Sequence, residues 1–219
     1  MSKVVIFGTR DNSALAYHYL SNDSKETVAA FTVDREYLRE KEFMGLPVVD
    51  FAKVEDLFPP NEYKMFVPMS PAKVNTLRAK KYQEAKDKGY SFISYISSKA
   101  AYYGTAVGEN CFILEHNVIQ PFSKIGNNVI LWSGNHIGHH CLIEDHCFLT
   151  SHAVVSGHVV IGAYSFLGVN CTIRNGVKIA QSNVIGAGAL IMHDTKEFEV
   201  YPGAGSKAAK VPSTKLKDL

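Results

Sequence analysis

No apolar run in the chain approaches the roughly 18 residues that a membrane span needs, and no basic stretch precedes an apolar one at the N-terminus. Export and membrane attachment are therefore not expected. Net charge is only +2, too small an excess to gather nucleic-acid phosphates or an anionic lipid surface. The loop Gly8-Thr9-Arg10 is not followed by the second and third glycines of the dinucleotide fingerprint, so a full NAD site is not expected either. Cysteine is scarce, with four residues in 219. What remains is an ordinary composition, 46% apolar and 20% charged, that suits a soluble protein of one large domain or two small ones.

What is present is a repeat. From Val107 to Thr195 an aliphatic residue stands at every sixth position, beginning Val107, Ile113, Ile119 and ending Ile179, Ile185, Ile191, without a slip. The fifth position of each hexad is small or compact, as at Cys111, Asn117, Ser123, Val129 and Asn135. A period of six is neither helical nor a plain two-residue alternation. It predicts a solenoid of short strands and tight corners, with the aliphatic residue filling a three-sided coil and the small one turned inward beside a corner. Fifteen hexads give five coils. All four cysteines take the fifth position, so they are expected to be unpaired interior fillers, consistent with a reducing cytoplasm.

Before the repeat, Lys3 to Gly8, Thr27 to Val33, Leu46 to Val49, Tyr63 to Met69 and Ser91 to Ile96 read as strands. Helices are expected from a cap at Asp11, Asn12 or Ser13 to about Leu20, and from Pro71 to about Lys88. This alternation predicts a small parallel sheet. Ligands of such a sheet lie at the carboxyl ends of its strands. The candidates are Gly8, Thr9 and Arg10, then Asp34 and Arg35, then Pro68, Met69 and Ser70. Asp34 suits a ribose or base edge and equally suits an ordinary strand-end acid. The basic positions of the second helix (Lys73, Arg78, Lys80, Lys81, Lys86, Lys88) read as a solvated face. The domain plan is thus 1–96, a Rossmann-like lobe; 97–106, a linker; 107–195, the solenoid; and 196–219, a tail that covers the last coil.

Seven of the nine histidines fall between His116 and His158. In the hexad frame His116, His140, His146, His152 and His158 are fourth residues, His139 and His193 third, and His136 sixth. Third and fourth positions lie at corners, so these rings should face outward. Residues eighteen apart stack, which places Gly157 and Pro121 beside His139, and Phe122 and His158 beside His140. The missing side chain of Gly157 would leave His139 open to a substrate, with a backbone N–H at hand for an oxyanion. An imidazole, with an ordinary pKa of about 6.5, can remove a proton at neutral pH.

The small α/β lobe followed by hexads carrying Ile137-Gly138-His139-His140 resembles the bacterial nucleotide-sugar acyltransferases of the bacillosamine N-acetyltransferase and sialic acid O-acetyltransferase type. The run from Ile161 to Asn170 and the stretch Val184-Ile185-Gly186-Ala187-Gly188-Ala189 resemble that family as well, and Gly203 to Lys207 echoes its C-terminus loosely. The resemblance implies an all-β left-handed parallel β-helix after the α/β lobe, a homotrimer, and cytoplasmic work in bacterial surface glycan synthesis. It implies a nucleotide-linked amino sugar in the lobe and acetyl-CoA along the solenoid near Gly186 and Ala187. His139 would be the general base and Gly157 the oxyanion donor, with direct transfer and no acyl-enzyme. The family usually has Glu where this chain has His140.

Three other readings compete with this one. An O-acetyltransferase on a sugar such as sialic acid would need stronger activation of its acceptor. A zinc-dependent, carbonic-anhydrase-like lyase on the same solenoid would need a third ligand beyond His116 and His152, and the expected position holds Gly157; no metal is expected. A non-catalytic binding or assembly protein would carry its histidines as corner residues only.

Overall fold

A computed structural model of the chain describes residues 2–208 and 210–215. The lobe contains β1 (Lys3–Phe7), α1 (Asp11–Asp23), β2 (Thr27–Val33), β3 (Glu42–Phe43), β4 (Leu46–Asp50), α2 (Val54–Leu57), β5 (Tyr63–Phe66) and α3 (Thr76–Asp87). The sheet order is β3-β4-β2-β1-β5, parallel except for the antiparallel β3–β4 pair at one edge. The apolar runs of β1 and β2 are buried on both faces (Val4, Val5, Ile6, Ala30 and Phe31 are at 0% exposure), the pattern of a parallel sheet covered on two sides. Helix α1 starts at Asp11 with Arg10 as its cap residue and no side-chain cap.

The solenoid is a left-handed parallel β-helix. Its two-residue strands, each the sixth and first residues of successive hexads, form parallel sheets of six, five and seven strands. We name them by a central strand: the 136–137, 142–143 and 148–149 faces. Register runs in steps of eighteen, as in His136↔Val154 and Phe148↔Phe166. First-position residues such as Ile137, Ile143 and Leu149 are at 0% exposure. All four cysteines are buried with free thiols, and burial pushes Cys111, Cys147 and Cys171 up to about 12 and raises Cys141, so none is a ready nucleophile at neutral pH. Among the described residues, no helix is long and apolar enough to cross a membrane.

Where the sequence reading places a linker, 97–106, the structure has strands Ala101–Tyr102 and Ala106–Val107, which pair with Val118–Ile119 and Lys124–Ile125. Tyr95–Ile96, read as part of the lobe sheet, pairs instead with Phe112–Ile113, and only Phe92 keeps a bridge to Met65 in β5. The solenoid thus begins inside the expected lobe. At the other end Val200–Tyr201 adds to Val184–Ile185.

The lobe sits on the 148–149 face. Phe112, Ile130 and Phe148 point out of the solenoid yet are buried among Val4, Ile6, Phe31 and Phe66 of the lobe; burial of such side chains stabilises by about 1.5–3 kcal/mol each. Helix α3 supplies the polar part of this joint. Its predicted start at Pro71 moves to Thr76, because Lys73, Val74 and Asn75 have left-handed backbones. Asn75 is held there by donating from Nδ2 to the carbonyls of Tyr164 (2.8 Å) and Ser165 (3.3 Å). The basic residues read as a solvated face divide: Lys73, Lys80 and Lys86 are exposed, Lys81 and Lys88 pair within the lobe, and Arg78 and Lys86 reach the solenoid. Arg78 is wholly buried and donates to the carbonyls of Asn128 (2.6 Å) and His146 (2.8 Å) and to Asn75 Oδ1 (2.8 Å). Lys86 reaches Glu109 at 2.6 Å, and Lys88 reaches Glu55 at 2.7 Å.

Burial lowers the Arg78 guanidinium to about 10, still charged at neutral pH. Removing it strands buried carbonyl oxygens on both sides of the joint. Arg78→Met is therefore expected to cost on the order of 3 kcal/mol, read as an earlier midpoint in denaturant unfolding. An unchanged midpoint would show that the joint does not depend on it.

Candidate functional site

Fourth-position residues turn the corners of the coil with left-handed backbones. At one vertex Phe122 (φ 67°), His140 (φ 59°) and His158 (φ 60°) do so in successive coils, and the eighteen-residue step stacks their rings. His140 lies 4.8 Å from Phe122 and 4.9 Å from His158, nearly parallel to the latter at 17°. His139 stands edge-on to both imidazoles, 5.2 Å from His140 at 87° and 4.9 Å from His158 at 86°. Its Nδ1 is 3.0 Å from Nδ1 of His140, and its backbone N–H donates to Gln120 Oε1 at 2.9 Å. All three rings are exposed.

Gly157 does lie against His139, but the gap is not open as expected. A Cβ built on Gly157 would stand 2.8 Å from Cε1 and from Nε2 of His139. The imidazole itself occupies the space that the missing side chain leaves.

The outward orientation expected of the other histidines holds for exposed His116 and His152. His146 differs. It faces out of the solenoid but is half-buried beneath the lobe, 5.9 Å from the Tyr82 ring and 4.7 Å from Tyr164. Its Nδ1 is 2.9 Å from Asn128 Nδ2, and burial lowers its pKa. No sequence signal marked the lobe as its cover.

The strand-end candidates of the lobe meet in one cavity of about 1060 Å³, at the upper end of the size of small-molecule sites. Gly8, Thr9, Arg10, Asp34, Pro68, Met69 and Ser70 all line it. Gly8 has φ 107°, and a Cβ there would meet Ser13 Oγ at 2.5 Å, so only glycine fits between β1 and α1. Arg35 does not line the cavity; it is exposed and lies 3.8 Å from Asp50. Sequence reasoning missed Tyr37, Arg39, Phe43, Lys80 and Lys81, which also line it. They come from the 3-10 turn Arg35–Tyr37 and the loop after it, from the edge strand β3 and from the helix face taken as solvated. Asp34 accepts from Lys81 Nζ at 2.7 Å, and Lys81 also bonds Glu84 at 2.6 Å; these bonds raise the Lys81 pKa against the opposing effect of its burial.

Gly186 donates its N–H to the Tyr201 carbonyl at 2.7 Å. A Cβ on Gly186 would collide with the Gly203 amide at 2.5 Å, so the tail runs directly over Gly186 and Ala187.

The cavity and the histidine vertex lie on opposite sides of the coil. The lobe covers the 148–149 face. The vertex of His140 and His158 lies between strands 136–137 and 142–143, hence between the other two faces of the three-sided coil. Within one chain, the solenoid's core separates the two places.

The repeats match the bacterial transferase hexapeptide (six repeats) over residues 122–157 and the hexapeptide repeat of succinyl-transferase over residues 158–192. Among solved structures, the chain is similar to a His-to-Asn mutant of perosamine N-acetyltransferase from Caulobacter crescentus, in complex with CoA and GDP-perosamine. Identity is 26%, the TM-score is 0.82, and the match covers 91% of this chain and 93% of that one. The acetyltransferase domain of PglB from Neisseria gonorrhoeae FA1090 shares the fold at 20% identity and TM-score 0.81, covering 91% and 96%. So does WeeI from Acinetobacter baumannii AYE, at 17% identity and TM-score 0.74, covering 91% and 94%.

Proposed function

We propose that the chain, an acyltransferase with the fold of these sugar acetyltransferases, transfers the acetyl group of acetyl-CoA to the amine of a nucleotide-linked sugar. The observation that carries the reading is the His139–His140 pair beside Gly157, at a vertex accessible from solvent. The likeness to a protein that holds CoA and GDP-perosamine supports both substrate classes.

With Nδ1 of His139 engaged by Nδ1 of His140, Nε2 is the atom left to take a proton. It lies over Gly157, so the base and the Gly157 backbone border one small space. The neutral amine attacks the thioester carbonyl, a C–N bond forms, and Nε2 takes the proton that the nitrogen sheds. The tetrahedral oxyanion falls to the Gly157 N–H; the C–S bond then breaks, and the imidazolium protonates the departing thiolate. His140 is a positioning residue here. It stands where the family that the sequence resembles usually has Glu, so it orients the ring without adding a negative charge. An imidazole base without a carboxylate partner suits an amine better than a sugar hydroxyl, which needs stronger activation.

The lobe, which ends with the Phe92 bridge to Met65, forms the nucleotide-sugar domain of this proposal. The N-terminus of α1 and the cations Arg10, Arg39 and Lys80 suit a diphosphate, and Gly8 lets it approach the backbone. Gly186 and Ala187 form part of the CoA track of this proposal, with the tail backbone at Gly203 packed over Gly186. Since cavity and vertex lie on opposite sides of one coil, the amine reaches His139 from a neighbouring chain's lobe, in keeping with a homotrimer.

The test is release of coenzyme A thiol from acetyl-CoA across UDP-, dTDP- and GDP-linked amino sugars. Release with one nucleotide series is expected. No release with any of them would overturn the proposal.

A further inference from the structure

We propose that His139, His140 and His158 together form a binding site for a borderline transition-metal cation of the zinc class, and that its occupation switches transfer off. One nitrogen from each ring lies within 4.8 Å of the others. A tetrahedral zinc with Zn–N of about 2.0–2.1 Å needs its nitrogens about 3.4 Å apart, and the Nδ1 atoms of His139 and His140 are already at 3.0 Å. The remaining approach requires only side-chain rotation of exposed rings. The stacked pair His140 and His158 can offer ring edges in one direction, and His139 crosses them edge-on. The donor set is all imidazole, which selects zinc, copper or nickel over magnesium or calcium. Exposure leaves the fourth position to water.

These are not the residues that zinc binding on such a coil suggests from spacing alone, His116 and His152. The ion here is not a source of hydroxide for the reaction. If it takes Nε2 of His139 it occupies the base, and if it takes Nδ1 it breaks the bond to His140. The binding stands on the imidazoles alone; its effect on turnover rests on His139 being the base.

The probe is Co²⁺, titrated into full-length protein freed of metal by chelator. One equivalent is expected to give the visible d–d bands of a tetrahedral site, and Zn²⁺ should displace it. His158→Asn suits the left-handed backbone at that position and keeps the other two imidazoles; because it removes the edge contact to His139, its inhibition by Zn²⁺ is read against the variant's own metal-free rate. It should weaken Co²⁺ by more than the ~10–100-fold typical of losing an outer-shell partner, while His116→Asn should not. Absence of a stoichiometric Co²⁺ spectrum, or undiminished affinity in His158→Asn, overturns the site. Zn²⁺ should also inhibit thiol release reversibly in the wild type and far less in His158→Asn. Binding without inhibition overturns instead the reading of His139 as base.

Discussion

His139→Asn is expected to lower kcat by about 10²–10⁴-fold, the usual worth of a positioned general acid–base group, with little change in KM for either substrate. The ring is exposed and held mainly by its neighbours: the Nδ1 contact to His140, the edge contact with His158 and the Gly157 surface beneath. Stability should therefore hardly move, which separates a chemical loss from a folding loss. The amide nitrogen of residue 139 still bonds Gln120 in the variant, because that contact is made by the backbone. His116→Asn, one vertex away in an ordinary corner position, is the matched control and should leave the rate unchanged. A rate that survives His139→Asn would remove the residue from the chemistry.

Gly157→Ala is expected to cost about 10²-fold in rate, the scale set by a misplacement of about 1 Å at a reacting group. Gly157 has no left-handed backbone to defend, so alanine is acceptable to the main chain. The strain is all at the side chain, where the new Cβ meets Cε1 and Nε2 of His139 at 2.8 Å and Asn175 Oδ1 at 3.1 Å. The imidazole has solvent on its other side and will swing away, carrying Nε2 out of the space it shares with the Gly157 amide. Thermal stability should change little. The two substitutions act on one group, so the double variant Gly157→Ala/His139→Asn should be no slower than His139→Asn alone. Additive losses would mean that Gly157 matters for another reason.

The solenoid was legible because each hexad repeats the same packing problem. Ile137, Ile143 and Leu149 fill the coil, while Cys141 and Cys147 fit beside its corners. The first strands were not legible. Ala101 and Ala106 are small, and Gly104 interrupts them, so nothing in 97–106 carries the six-residue signal; pairing with the next coil defines them. The stack of His140 and His158 could be read from their eighteen-residue spacing, but a three-residue cluster with His139 required the edge-on orientation of that ring. In the lobe, the loops after β1, β2 and β5 were found from topology. Arg35, expected beside Asp34, lies outside the cavity lining, since sequence cannot tell which way a strand-end side chain turns; it is exposed and 3.8 Å from Asp50. Arg78, Asn75 and His146 were missed for a common reason. Their environment is the lobe–solenoid joint, a contact between segments 50 to 90 residues apart, and it overrides the local pattern that reads as a solvated helix or an exposed corner.

The most direct measurement compares two acceptors that differ in one group, a nucleotide-linked amino sugar and the same molecule bearing a hydroxyl in place of the amine. Thiol release from acetyl-CoA is followed with each, and without either. Release only with the amine, yielding a product whose acetyl group resists neutral hydroxylamine as an amide does, is the predicted result. Equal release with the hydroxyl compound, or acetyl groups retained on the protein when no acceptor is present, would contradict direct N-acetylation at His139.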